Sequence, residues 1–478
     1  MSFQTLTFLA FLAVTVIACN VIGRRSPALG KGLLAVACLV FYLSGVSHPA
    51  AGFAVLLAGM AVTLAAVWAM TARRQKKAAF VAAVWHIAVL LVFKYTGFFS
   101  GGTVTIGWVP VGLSFFTFQQ LWYLKEVCTG AYVPAGTGLS GLRDYFTYTF
   151  FFPSVTSGPI LRPGAFLPQL TGGKLFRPDW QDVASGLFAI CTGTVKKVLL
   201  ADALGILVNN VWEYQGGISA VTAWMAILGY TLQLYFDFSG YCDVASGAAR
   251  LLGIRLPVNF DSPYRSLSVT EFWKRWHITL TTFLRECVYI PLGGSRKGTL
   301  RTYVNILVVF LISGFWHGAG WTFIIWGALH GLAQVTERLL GKCTDRIPKL
   351  LRWAGTMLFF MLSLVFFRAP DVGSALSMLR AAFSSEFGVP AVWMAEGLFS
   401  QELRGAGLLL PTTDGLGLVL TVLLLYVPGV LMVLWPRSVS REMEDTVPGF
   451  FHTVLLAVLT AWAVLSFTGV TTFIYSNF

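Results

Sequence analysis

Residues 272–298, FWKRWHITLTTFLRECVYIPLGGSRKG, and residues 314–331, GFWHGAGWTFIIWGALHG, decide how this chain is read. The second stretch lies inside an apolar run, Thr302 to Val335, which carries no Asp, Glu, Lys or Arg and holds His317 near its middle. The run is longer than the roughly 20 residues that one membrane crossing needs. An ionisable side chain inside a bilayer is costly, so His317 requires a reason to be there. Arg296, Lys297 and Arg301 precede the run, and Arg338 and Lys342 follow it. Positive charge marks the cytoplasmic side, so both ends of the run belong there. One crossing cannot start and finish on the same side. Gly314, Gly318 and Gly320 stand where a helix can bend or break. The reading is two half-helices that enter the membrane and return. His317 then lies near the turn, as the deepest polar group of a cytoplasm-facing tunnel.

Working outward, composition agrees. The chain has 478 residues, 56% of them hydrophobic and 12% charged. That balance predicts an all-α polytopic membrane protein, with re-entrant and interfacial helices around a central tunnel. Residues 1–478 read as a single transmembrane domain. The net charge of +13 falls in short clusters between apolar spans, such as Arg73–Arg74–Lys76–Lys77. Clusters of that kind are membrane anchors, and no nucleic-acid-binding motif accompanies them. Seven cysteines occur without a C-x-x-C pair. They read as small buried hydrophobes, and neither a disulfide framework nor a metal site is expected.

The charge clusters also orient the ends. Leu6 to Ile22 precedes Arg24 and Arg25, which places Met1 outside and the arginines inside. No basic stretch precedes it, so it is not expected to be a signal peptide. Leu33–Val46 goes out, Phe53–Met70 returns, and Ala78–Val92 goes out again. Trp353–Phe367 crosses outward to an extracytoplasmic loop at about residues 369–413. That loop carries an amphipathic stretch, Ala375, Leu376, Leu379, Ala382 and Phe383, suited to the outer membrane surface. Residues 416–434 return and 450–470 exit, so both termini are expected outside, including residues 471–478. Between residues 134 and 180, six prolines predict short, re-entrant or interfacial pieces.

Among six histidines, His86 on an isolated apolar helix reads as a satisfied core residue, and His48 and His452 as interfacial. His330 does not share a helical face with His317 and reads as structural. His277 sits on a stripe of Phe272, Trp273, Trp276, Leu280, Phe283 and Leu284, which predicts one interfacial helix with the histidine at a cavity mouth. Asp237 and Asp243 lie in an apolar span, where carboxylates pair or orient a neighbour. Arg296 and Lys297, in the PLGGSRKG loop, can receive donor phosphates or simply anchor the loop.

Together these segments resemble the membrane-bound O-acyltransferase family, and within it the bacterial branch typified by alginate O-acetylation proteins. The resemblance rests on PVGLSFFTFQQLWYL (110–124), FFPSVTSGPI (151–160), VKKVLLAD (195–202), YFDFSGYCDVA (235–245), LPVNFDSPY (256–264), the two stretches quoted above and VFFRAPD (365–371). It implies that His317, preceded by Trp316, is catalytic and that His277 supports it. It extends to the C-terminal FIYSNF, where Tyr475 is implied as an acyl acceptor that hands the group to an extracytoplasmic partner. Two places depart from the pattern. Glu286 and Cys287 stand where an aspartate and an aromatic residue are usual. Lys125–Glu126 and Cys128 replace valine, aspartate and an aromatic residue.

The expected activity is transfer of an acyl group, acetyl above all, from cytoplasmic acyl-CoA to an exported polysaccharide or cell-wall glycan. His317 is the expected general base, and Tyr475 the expected relay to an extracytoplasmic transferase. Trp316 and glycine-flanked amides are oxyanion candidates, with Asp237 and Asn259 as further candidates for contact with substrate. No permanently bound cofactor or metal is expected, and acetyl-CoA is the donor substrate. The expected location is the bacterial inner membrane. The alternatives are D-alanyl transfer to teichoic acid from a carrier protein, or a transporter or channel gated by His317 and Asp237.

Overall fold

Long apolar segments have no water with which to pair their backbone groups, and a helix satisfies those groups internally. The computed structural model describes residues 3–45, 48–134, 138–214, 216–398, 422–445 and 449–467. Every regular element among them is helical. Six of these helices are long and apolar enough to cross a membrane. The chain is an all-α polytopic membrane protein.

Helices α1 (Leu6–Arg25), α2 (Pro27–Leu43), α3 (Pro49–Ala72) and α4 (Lys77–Phe99) form the first layer. Pro27 and Pro49 open their helices, where a missing N–H costs nothing. Helix α4 exposes Phe80, Val81, Val84 and Trp85 on one side. On the other it buries His86, which shares a 2.8 Å hydrogen bond with Thr63. Helix α4 also runs past the expected end at Val92, which carries Lys94 and Tyr95 into the protein interior.

Proline-rich residues 134–180 form the short pieces expected: α6 (Leu139–Phe150), α7 (Pro163–Phe166) and a tight turn over Leu167–Leu170. Helix α5 (Leu113–Thr129) precedes them. Helix α8 (Trp180–Val195) passes through a wide π-helical stretch, Lys196–Asp202, into α9 (Ala203–Glu213). Helix α10 (Ala220–Arg250) is the central post, packed against α8, α9 and α15 (Lys349–Arg368). Helices α8 and α10 meet through glycines. A Cβ on Gly193 would fall 2.5 Å from the Gly240 carbonyl oxygen, so only glycine permits this approach.

The apolar run differs from expectation. Helices α13 (Thr299–His317) and α14 (Trp321–Leu340) contain 19 and 20 residues. At 1.5 Å per residue each is about 30 Å long, comparable to the hydrocarbon core. They are a full-length hairpin rather than two half-helices, and only Gly318–Gly320 break it. Gly314 stays helical because its role is contact: an added Cβ would meet the Phe323 carbonyl oxygen at 2.3 Å.

The striped segment differs too. It is two short helices, α11 (Val269–Arg275) and α12 (Ile278–Leu284), rather than one interfacial helix. Its apolar stripe is buried in protein, where Trp273 and Phe272 pack on Phe310, Trp326 and Phe360. After α15, α16 (Val372–Ala382) packs on α10 and α15 through buried Ala375, Met378 and Ala382. The expected stripe is thus divided: Ala375 and Ala382 are buried in protein, whereas Leu376 and Phe383 stay exposed. Helices α17 (Val427–Leu434), α18 (Val439–Asp445) and α19 (Phe450–Leu465) complete the described chain. Tyr475 and residues 471–478 lie outside the described residues.

Candidate active site

His277 is the residue at which α11 stops and α12 begins. Its φ of 44° lies in the left-handed region, which is unfavourable for a bulky residue. The strain is held by two backbone bonds from a distant loop: Asp261 N–H donates to the Arg275 carbonyl at 2.9 Å, and Ile278 N–H to the Asn259 carbonyl at 3.0 Å. The kink turns the imidazole inward, where it is 1% exposed. Its Nδ1 lies 3.1 Å from Asn259 Oδ1. The Phe238 ring packs edge-on against it at 4.7 Å.

His317 is the last residue of α13. Carbonyl groups at a helix C-terminus have no partner within the helix. Here α4 supplies the partners: Lys94 Nζ donates to the Trp316 carbonyl at 2.6 Å, and the Tyr95 hydroxyl donates to that of Phe315. The His317 ring is enclosed by Trp316, Trp326 and Phe367, with centroids 4.8, 5.2 and 5.1 Å away. Trp316 stacks on Phe118 at 5.0 Å and reaches His277 at 6.4 Å. One indole therefore touches two buried imidazoles that belong to separate chain segments.

This setting is apolar yet holds polar atoms with no hydrogen-bond partner among the described residues: His277 Nε2, Trp316 Nε1 and Trp326 Nε1. A buried polar atom left unpaired costs about 1–3 kcal/mol. Three such atoms in one cluster of rings are what a substrate carbonyl and hydroxyl could satisfy.

The remaining candidates fall elsewhere. His330 accepts from Trp273 Nε1 at 3.2 Å through Nδ1 and meets Ser363 Oγ at 3.0 Å through Nε2. It ties α11, α14 and α15 together, a structural role. Asp237 pairs with Lys197 at 2.7 Å and Asp243 with Lys196 at 2.7 Å, so both carboxylates are engaged within the protein. Arg296 and Lys297 are exposed on a loop apart from the ring cluster. Asn305 of α13 holds that loop by donating to the Gly294 carbonyl at 2.9 Å. No group of three or more potential metal ligands occurs among the described residues.

Two features were not singled out from sequence. Lys94 was legible only as a charge within an apolar helix. Thr279 was not distinguishable from its neighbours, yet it lines a cleft of about 280 Å³ with Trp122, Ile160, Leu161, Arg162 and Arg255. Beside this cleft the two departures from the family pattern meet. Lys125 pairs with Glu286 at 2.7 Å, and Arg162 joins Glu126 to Glu286. They are one ionic cluster rather than two separate changes.

Comparison with known proteins gives the same direction. The sequence pattern of the membrane-bound O-acyltransferase family matches residues 110–379. The chain is 40% identical over 329 residues to a peptidoglycan O-acetyltransferase of Helicobacter pylori, covering 62% of this chain and 62% of that protein. It is 40% identical over 299 residues to a probable alginate O-acetylase of Pseudomonas aeruginosa, covering 62% of this chain and 55% of the relative. A teichoic acid D-alanyltransferase of Streptococcus thermophilus is 28% identical over 246 residues, covering 47% of this chain and 56% of the relative. The chain thus spans less than two thirds of each relative's length.

Proposed function

The chain belongs to the membrane-bound O-acyltransferase family, and on that premise we propose that it moves an acetyl group from cytoplasmic acetyl-CoA to an exported polysaccharide or cell-wall glycan. The observation that carries the reading is the single indole, Trp316, in contact with both His277 and His317 inside a shell of rings. O-acetylation is favoured over D-alanylation by the 40% identity to O-acetylating relatives, against 28% to a D-alanyltransferase.

The thioester arm enters by the cleft at Thr279. Its walls are apolar, and Arg162 and Arg255 offer positive charge for the donor's phosphates. The exposed Arg296 and Lys297, in the loop that follows the π-helical stretch Arg285–Tyr289, are further basic groups for those phosphates. A hydroxyl approaches from the outer side. His317 takes its proton as the oxygen attacks the thioester carbonyl. The oxyanion is held by an indole N–H, that of Trp316 or of Trp326. The C–S bond then breaks, the ester remains on the acceptor oxygen, and the thiolate leaves with the proton that His317 carried. His277 sits on the donor side of Trp316 and supports the same carbonyl.

The hydroxyl is that of Tyr475, which passes the acetyl group to an extracytoplasmic transferase partner. The protein lies in the bacterial inner membrane with both termini outside. The test is intact mass spectrometry after incubation with acetyl-CoA. One added acetyl group on Tyr475, absent from His317→Ala and Tyr475→Phe, is the expected result. CoA release only in the presence of a partner, without an adduct, replaces the relay by direct transfer. No adduct and no CoA release removes the acetyl-CoA reading.

A further inference from the structure

The loop residue Asn259 makes more contacts than a structural asparagine needs. Its Oδ1 accepts from the Thr279 backbone N–H at 3.2 Å and from the Thr279 hydroxyl at 2.9 Å, and it faces His277 Nδ1 at 3.1 Å. Its Nδ2 donates to Cys242 Sγ at 3.4 Å. The orientation of the amide is determined by chemistry. A backbone N–H can only donate, so the atom opposite Thr279 N must be the oxygen. The Thr279 hydroxyl donates likewise, because that amide oxygen has no proton to give, and its own oxygen accepts from Ile160 N–H at 3.1 Å.

An oxygen with no proton leaves His277 one choice. Its Nδ1 must carry the hydrogen, and in a neutral imidazole Nε2 then holds the lone pair. Nε2 is the buried nitrogen that has no partner among the described residues. We propose that Asn259 is a positioning residue that locks His277 in the Nδ1–H tautomer and presents Nε2 as a proton acceptor in the transferase site. The tautomer follows from the hydrogen bonds alone, whereas its consequence for turnover rests on the acyl-transfer reading above.

The same contacts explain the backbone. Asn259 binds the residue before α12 through its side chain and Ile278 through its carbonyl, so one residue sets both the kink at His277 and the proton on its ring. A helix could not do this locally, because the clamp arrives from a separate loop.

The test begins with the unmodified protein in lipid. Solid-state NMR with ¹⁵N-labelled histidine and ¹³C-labelled asparagine correlates the asparagine amide carbon with the adjoining ring nitrogen. The expected signal is a protonated Nδ1 on a ring whose other nitrogen has the shift of a lone pair. A correlated nitrogen without a proton, or a ring protonated at both nitrogens, overturns the proposal. Asn259→Asp keeps the acceptor and lets Cys242 S–H donate, so the tautomer persists and transfer stays within about ten-fold of the parent. Asn259→Ala mixes the tautomers and lowers kcat by about 100-fold or more, with little change in donor KM. Equal turnover in the alanine variant with a mixed tautomer overturns the positioning role. Absence of transfer in the parent counts against the acyl-transfer reading instead, and the NMR result still decides the tautomer.

Discussion

Two regions of this molecule bury ionisable side chains, and they do so in opposite ways. Between α8 and α10, Lys196 meets Asp243, and Lys197 meets Asp237 and Asp202. Each charge is answered by another within the protein. Around Trp316, His277 and His317 are surrounded by aromatic rings, and the hydrogen-bond partner of His277 is an amide. A neutral imidazole needs no counter-ion and keeps a lone pair. Burial of charge in the first region is a solution for packing, while the second is where the proposed transfer chemistry would take place.

The strongest way to break this comparison is His317→Ala. Acetyl transfer is expected to fall by about 10²–10⁴-fold, with donor binding retained. If CoA release continues unchanged, the ring cluster is structural as well. Lys196→Met addresses the other region. Removing one partner of a buried pair costs about 3–5 kcal/mol, while Lys196→Met with Asp243→Leu restores most of it. Thermal unfolding in detergent reads both, and a single variant as stable as the parent would mean that the pair is solvated.

Smaller effects sharpen the frame that holds the histidines. A Cβ on Gly327 would meet the Phe310 carbonyl oxygen at 2.4 Å, so Gly327→Ala should separate α13 from α14 and cost about 1–3 kcal/mol. It should lower transfer more than Gly355→Ala, where no atom lies within 4 Å. The smallest effect is expected at Lys125–Glu286, which is partly exposed. Lys125→Ala should change stability by at most about 1 kcal/mol. A double-mutant cycle with Glu286→Ala measures whether the two positions are coupled.

Much of this was legible in the chain. Hydropathy gave the helical class, the proline cluster gave the short pieces, and an uncharged run with one deep histidine pointed to the hairpin. What failed was non-local. The stripe of Phe272, Trp276, Leu280 and Phe283 has the period of one helix. The break at His277 is imposed by Asn259 and Asp261, which no period within the stripe reports. Gly314 looked like a breaker because sequence does not show that Gly327 lies opposite it. Lys94 stands in the sequence as a lone charge within an apolar helix because its partners, the carbonyls of Trp316 and His317, lie 222 and 223 residues further along the chain.

That last contact also sets an order of assembly. The carbonyl end of α13 is completed by Lys94 and Tyr95, which belong to α4 and lie outside residues 110–379, where the family pattern falls. During synthesis the hairpin that bears His317 emerges after α4, which then offers Lys94 and Tyr95 as donors for it to dock onto. A fragment limited to the matched region would insert that hairpin with its polar end unanswered. Co-expression of residues 1–109 as a separate chain should rescue such a fragment, which makes the first four helices a template for the site rather than a mere membrane anchor.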